Sequence, residues 1–146
     1  MVSGGFDPAH VGHIRLFKAA KKLGDELIVV LNNDHWLRAK KGKEFMAGIE
    51  RKEIIEAFEC VDQVVLSAHP KNPKNMSVSE ELFKIRPHIF ANGGDRDAKN
   101  AADPKSSLCA EVQMCKKLGI KMVFNVGHGG KIRSSSELLK NYHATK

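Results

Sequence analysis

The sequence predicts an α/β domain, a doubly wound five-stranded parallel sheet, and three observations carry that prediction. Five apolar runs of strand length are continuous rather than alternating, as expected of strands covered by helices on both faces. Each run is followed by a loop and a segment of helical period, the pattern of repeated strand–helix units. The length of 146 residues is enough for one real core and too little for two, so a single domain over residues 1–146 is expected.

The elements follow in order. Residues 1–5 form the first strand, and the helix after it covers residues 11–23, with Ile14, Leu16, Phe17 and Ala20 turned inward and Gly24 as its stop. Residues 26–32 are the second strand. The stretch 36–48 resists regular assignment, and a helix over 50–59 leads to the third strand at 63–67. Residues 71–75 read as a surface loop. Ser77 followed by Glu80 fits a capping box that opens the next helix, closed before Pro87. The fourth strand is 88–92, and 95–105 is again irregular. A helix over 106–118 ends at Gly119, a fifth strand spans 121–126, and Ser134 with Glu137 caps a last helix that turns Leu138 and Leu139 inward. In such a sheet the long loops at strand ends, here 36–48 and 95–105, are where ligands bind.

Composition narrows the function. No apolar run approaches the roughly 20 residues of a membrane span, and the first strand has no leader-like segment before it, so a cytoplasmic location is expected. Cys60, Cys109 and Cys115 form no C-x-x-C pair and read as inert thiols rather than disulfides or a zinc site. The formal charge of +7 calls for an anionic partner. Its basic residues are scattered without the interleaved aromatics that stack on bases, which favours small phosphates over nucleic acid. Apolar strand edges need cover, which a homodimer would supply, although the sequence does not give the oligomeric state.

The stretch that carries chemistry is Gly4-Gly5-Phe6-Asp7-Pro8-Ala9-His10-Val11-Gly12-His13, which leaves the first strand and opens a helix. Glycines let the backbone turn tightly, and a helix N-terminus presents free N–H groups to an anion. His10 and His13, three residues apart, turn their imidazoles to the same side, with Gly12 between them leaving room for a ligand. They form a cationic or a donor pair.

These residues resemble the H-x-G-H nucleotidyltransferases, a cytidylyltransferase-like family that includes heptose-1-phosphate adenylyltransferases and glycerol-3-phosphate cytidylyltransferases. The resemblance extends to Asn33-Asp34 followed by Lys40, Lys41 and Lys43, to Glu50-Arg51-Lys52, to Asn92-Gly93-Gly94-Asp95, and to Ser134-Ser135-Ser136 before Glu137-Leu138. It implies a Rossmann-like fold and transfer of a nucleoside monophosphate from ATP or CTP, with Mg²⁺, to a phosphorylated sugar or polyol, releasing pyrophosphate. It further implies His10, His13, Lys40 and Lys43 as catalytic residues. The nucleotide-binding set would be Gly4, Gly5, Phe6, Asp7, Gly12, Gly93, Asp95 and Ser134 to Ser136, together with the two histidines. Asp34, Lys41 and Arg51 would bind the acceptor. Metal ligands stay open between Asp7 and Asp95.

A phosphate acceptor is already an anion at neutral pH and needs no general base, so positioning and charge stabilisation suffice. Each residue also has a plainer reading. Ser134 and Glu137 could only cap a helix, the Lys40 to Lys43 run could be a solvated loop, Asp34 could cap the segment after it, and Trp36 could be a core anchor or a lid. The chain also departs from its resemblance. Gly5 stands where related cytidylyltransferases often have threonine, Asn92 replaces a lysine, and Gly129-Gly130-Lys131 occupies the place of an arginine that Lys131 or Arg133 could replace. Those departures motivate an alternative, a catalytically silent nucleotide-binding regulatory module.

Overall fold

In the computed structural model, which describes residues 1–94, 96–127 and 132–144, the alternation of strands and helices is as the sequence predicts. The order is β1 (Val2–Gly4), α1 (Val11–Lys21), β2 (Ile28–Leu31), α2 (Asp34–Lys41), α3 (Gly48–Glu56), β3 (Gln63–Leu66), α4 (Ser79–Ile85), β4 (Ile89–Ala91), α5 (Ala98–Ala102), α6 (Ser107–Leu118), β5 (Lys121–Val123) and α7 (Ser135–Ala144).

All described strand pairs are parallel, but they form two ladders rather than one sheet: β1-β2-β3 and β4-β5. Two hydrogen bonds at Met1 join them, from its amino group to Ile89 O at 2.8 Å and from Ala91 N to its carbonyl at 2.9 Å. The spatial order is therefore 3-2-1-4-5, with β1 and β4 side by side where the chain reverses direction across the sheet. Past Met1 no further backbone hydrogen bond links these strands among the described residues. Their C-terminal ends are free to part, and this is the switch point at which doubly wound sheets bind ligands.

The continuous apolar strands are explained by two cores. In β2, Val29 and Leu31 face the layer of Phe17, Ala20 and Ile55, while Val30 faces Val78, Leu82, Phe90 and Cys115 on the other side. Successive side chains point to opposite faces, so a strand covered twice must be apolar at every position. Each fully buried Leu or Phe contributes about 1.5–3 kcal/mol.

Several boundaries differ from expectation. The first part of the irregular stretch 36–48 belongs to a helix, Asp34–Lys41: Asn33 caps it through Oδ1 accepting from Trp36 N at 3.0 Å, its last turn is basic, and Gly42 ends it at φ 87°. Helix α1 stops at Lys21, and Gly24 does not take the left-handed conformation; instead Lys21 Nζ holds Asp25 O at 2.7 Å and Asp62 at 2.6 Å. Helix α3 starts two residues early because Glu50 Oε2 accepts from Ala47 N at 3.1 Å. The Ser77 to Glu80 capping box does not form. Ser77 Oγ donates to Asn75 Oδ1 at 2.7 Å, and Glu80 pairs with Lys84. Strand β5 ends at Val123, since Asn125 and Gly127 adopt positive φ and turn the chain back to the cavity. Helix α6 begins at its Ser106 cap and ends at left-handed Gly119, as expected. Leu138 and Leu139 are only half-buried. Cys115 is buried and its thiol is pushed up to about 11 by desolvation, which suits an inert role.

Candidate active site

The parted ends of β1 and β4 open into a cavity of about 340 Å³. Its floor is Ser3 to Phe6 after β1 and Ala91 to Gly94 after β4. The N-termini of α1 and α7 form one wall, and Trp36 with Lys40 and Lys41 of α2 form another.

The turn that delivers the histidines depends on missing side chains. Phe6 sits at φ 46° and folds its ring back over Gly4, where a Cβ would lie 2.8 Å from the ring. The same ring packs edge-on against His13 (centroids 4.9 Å apart) and Phe17 (5.0 Å). A Cβ at Gly5 would meet Leu37 Cδ2 at 2.9 Å, so a larger residue there requires the buried Leu37 side chain to shift.

His10 and His13 cap the helix they open. His10 Nδ1 accepts from Gly12 N at 3.1 Å, and His13 Nδ1 accepts from His10 N at 3.2 Å. The rings stack with centroids 3.7 Å apart. A nitrogen that accepts carries no proton, so each neutral ring holds its hydrogen on Nε2. Electrostatics point the same way. Burial first, then His10 and Lys41, holds His13 down to about 3, and His10 is lowered by burial, Arg133 and Lys41. Of the two readings left open by the sequence, the geometry gives neutral donors, with two Nε2–H groups at the cavity wall.

Four cations line this cavity, Lys40, Lys41, Arg96 and Arg133, and no carboxylate does among the described residues. Burial is the main cause that lowers the Lys41 ammonium. Lys40 lies over the Trp36 ring at 4.6 Å. Trp36 is a wall rather than a lid, since its indole Nε1 donates to Met76 O at 2.8 Å. Ser134 to Ser136 open α7 at the opposite wall, where Ser135 Oγ donates to Pro8 O at 2.8 Å and ties α7 to the turn before α1.

The structure thus brings together Gly4, Gly5, Phe6, His10, Gly12, His13, Lys40, Lys41, Gly93 and the three serines. It places others elsewhere. Asp7 is buried, and its carboxylate accepts from Phe45 N at 2.6 Å and Met46 N at 2.8 Å, anchoring the segment after α2 instead of facing the cavity. Arg51 is fully buried. It donates to Gly5 O (2.7 Å), Asn32 O (2.9 Å), Met46 O (3.0 Å) and Asp34 Oδ1 (2.7 Å), so Arg51 and Asp34 clamp the loops behind the cavity. Lys43 is exposed beyond Gly42 and outside the lining. Asp95, His128 and the segment Gly129-Gly130-Lys131 lie outside the described residues.

Sequence reasoning missed Arg96 and Asn32 as lining residues and did not commit to Asn92 or Arg133. Arg96 follows Asn92-Gly93-Gly94-Asp95 directly, so its position in the strand-end loop was a usable signal. Asn32 and Asn92 are buried at the ends of β2 and β4, and Asn32 Oδ1 and Asn92 Nδ2 have no hydrogen-bond partner among the described residues. Buried polar atoms are rarely left so, and both line the cavity.

The sequence model of the cytidylyltransferase-like family matches residues 1–118, and the chain belongs to that family. It is similar to the FAD synthase of Pyrococcus abyssi (strain GE5 / Orsay), 40% identical over 98 residues that make up 66% of this chain and 63% of that protein. It is also similar to the bifunctional protein HldE of Blochmanniella floridana, 35% identical over 117 residues, 79% of this chain and 23% of that one. The matched segments therefore span less than two thirds of these relatives. The crystal structure of a lipopolysaccharide core biosynthesis protein from Thermoplasma volcanium GSS1 superposes with a TM-score of 0.66 at 27% identity, covering 88% of this chain and 96% of that one. The expected Rossmann-type α/β fold and family stand, with the sheet divided into two ladders.

Proposed function

We propose that this protein transfers a nucleoside monophosphate from an NTP to a phosphorylated small molecule and releases pyrophosphate. The observation that carries the reading is the pair of neutral imidazoles fixed as donors beside the α7 N-terminus, in a cavity whose described lining is cationic and free of carboxylates. An acceptor phosphate oxygen attacks the α-phosphorus, a new P–O bond forms, and the bond to the β-phosphate oxygen breaks. Nε2–H of His10 and His13 donate to the α-phosphate oxygens as charge gathers there, and the backbone N–H groups of Ser134 to Ser136 receive the departing phosphates. Lys41 neutralises the same end.

Among the described residues nothing marks a magnesium site formed by side chains alone. No group of three His, Cys, Asp or Glu residues able to hold a metal occurs among the described residues, and Asp7 is committed to two amides. Mg²⁺ is instead proposed to arrive with the triphosphate as co-substrate. The adenine dinucleotide in the name of the FAD synthases supports ATP over CTP as donor. Heptose phosphate, suggested by resemblance alone, is one acceptor among several.

The test is a grid of ATP and CTP against flavin mononucleotide, sugar phosphates and glycerol phosphate, with pyrophosphate detection. ATP turnover with one phosphorylated acceptor is expected, and His13→Ala lowers it about 100-fold, as for a lost oxyanion donor. Tight nucleotide binding with no pyrophosphate under any acceptor would favour the silent module. Unchanged turnover in His13→Ala would refute the mechanism.

A further inference from the structure

Lys41 and Arg133 line the cavity together with the histidines of α1 and the serines of α7. Arg96 lines it after β4 and is held from outside the lining by Glu111 of α6.

Glu111 is buried, with 1% of its surface exposed, on a helix that otherwise packs against the core. Its Oε1 accepts from Val78 N at 3.1 Å, and its Oε2 holds Arg96 Nη1 at 2.9 Å. The same Nη1 lies 3.4 Å from Asn92 Oδ1. That contact fixes the Asn92 amide, leaving its Nδ2 as the unpartnered buried donor. Arg96, by contrast, is partly exposed to the cavity. A core position is a costly place for a carboxylate unless it is paired, and this one is spent on orienting an arginine. With Asn32 Oδ1 unsatisfied across β1, the floor here has both a donor and an acceptor without partners among the described residues, beside a cation.

We infer that Arg96 and Asn92, oriented by the positioning residue Glu111, form an arm that receives the phosphate of the acceptor, distinct from the α1 and α7 end that receives the nucleotide's phosphates. This rests on the proposed transferase reading for the acceptor's role, but phosphate binding at the arm does not depend on turnover. Guanidinium and amide donors together suit a phosphate monoester, which accepts at several oxygens.

Inorganic phosphate titrated into the ¹⁵N-labelled chain, with and without saturating ATP, provides the test. The Asn92 side-chain amide and Arg96 Nε signals are expected to move saturably, and to keep doing so with ATP present. Arg96→Gln weakens the response about tenfold or more, Arg96→Lys recovers part of it, and Glu111→Gln weakens it about threefold or more, while ATP affinity stays within about twofold in all three. Arg96 is the safe variant if Glu111→Gln proves unstable, since its side chain is partly exposed. Loss of the response on adding ATP would assign the arm to the nucleotide and overturn the inference. So would phosphate affinity unchanged in both Arg96 variants. A response of this kind in a protein that never releases pyrophosphate would retain the arm and sink the transferase reading alone.

Discussion

Acidification singles out His13. Its folded pKa is held down to about 3, against 6.5 in an unfolded chain. The folded value lies below the unfolded one, so its contribution to stability is complete above about pH 6.5 and is lost progressively as the pH falls toward 3. At roughly 1.4 kcal/mol per pH unit, about 2 kcal/mol is lost by pH 5, as the unfolded chain takes a proton that the folded one refuses. Glutamine at this third helical position can still accept from the His10 N–H, as in a capping box, but cannot titrate. Urea unfolding followed by Trp36, the one tryptophan, compares wild type with His13→Gln at about pH 7.5 and pH 5. Wild type should lose about 2 kcal/mol more than the variant over that interval. Equal losses, within about 0.5 kcal/mol, would refute the neutral capped imidazole. The same neutrality predicts a transfer rate that holds from pH 6.5 to about 8, where a cationic pair would lose activity.

Other expectations follow from the same geometry. Arg51→Leu strands Asp34 and three carbonyls and should cost about 3 kcal/mol in denaturant unfolding; a loss under about 1 kcal/mol would show that the guanidinium is no clamp. Asp7→Asn should speed hydrogen exchange at the Phe45 and Met46 amides about tenfold while leaving the magnesium dependence of nucleotide binding unchanged, and the reverse pattern would return Asp7 to the site. Gly5→Thr should destabilise by about 1–3 kcal/mol through its clash with Leu37, and a cycle with Leu37→Val should recover about 1 kcal/mol of that; additive effects would locate the strain elsewhere.

How much was legible depended on how local the signal was. The strands and α6 could be read because a doubly covered strand must be apolar throughout, and because Ser106 and Gly119 mark both helix ends. Helix α2 was hidden because only Trp36 and Leu37 are buried on it, and its start is set by an asparagine that also bonds the chain at Ser67 and His69. The histidine pair was visible as spacing, but its charge was not: that depends on which ring nitrogen the backbone occupies. Asp7, Asp34 and Arg51 were recognisable as members of a cluster, yet type and position could not say that amides and carbonyls from residues 5, 32, 45 and 46 would use their hydrogen-bonding capacity. Glu111 gave no sign at all. A carboxylate in a helical stretch reads as solvated until the fold buries it.

The absence of acidic side chains from the described lining has a thermodynamic consequence. Like charges gathered on a concave surface repel one another, and an incoming polyanion relieves that repulsion in the folded state only, because the unfolded chain disperses the charges. Phosphorylated ligands should therefore raise the melting temperature, while the parent nucleosides and alcohols gain no such advantage. Added salt should erode the gain by supplying small ions that screen the same wall.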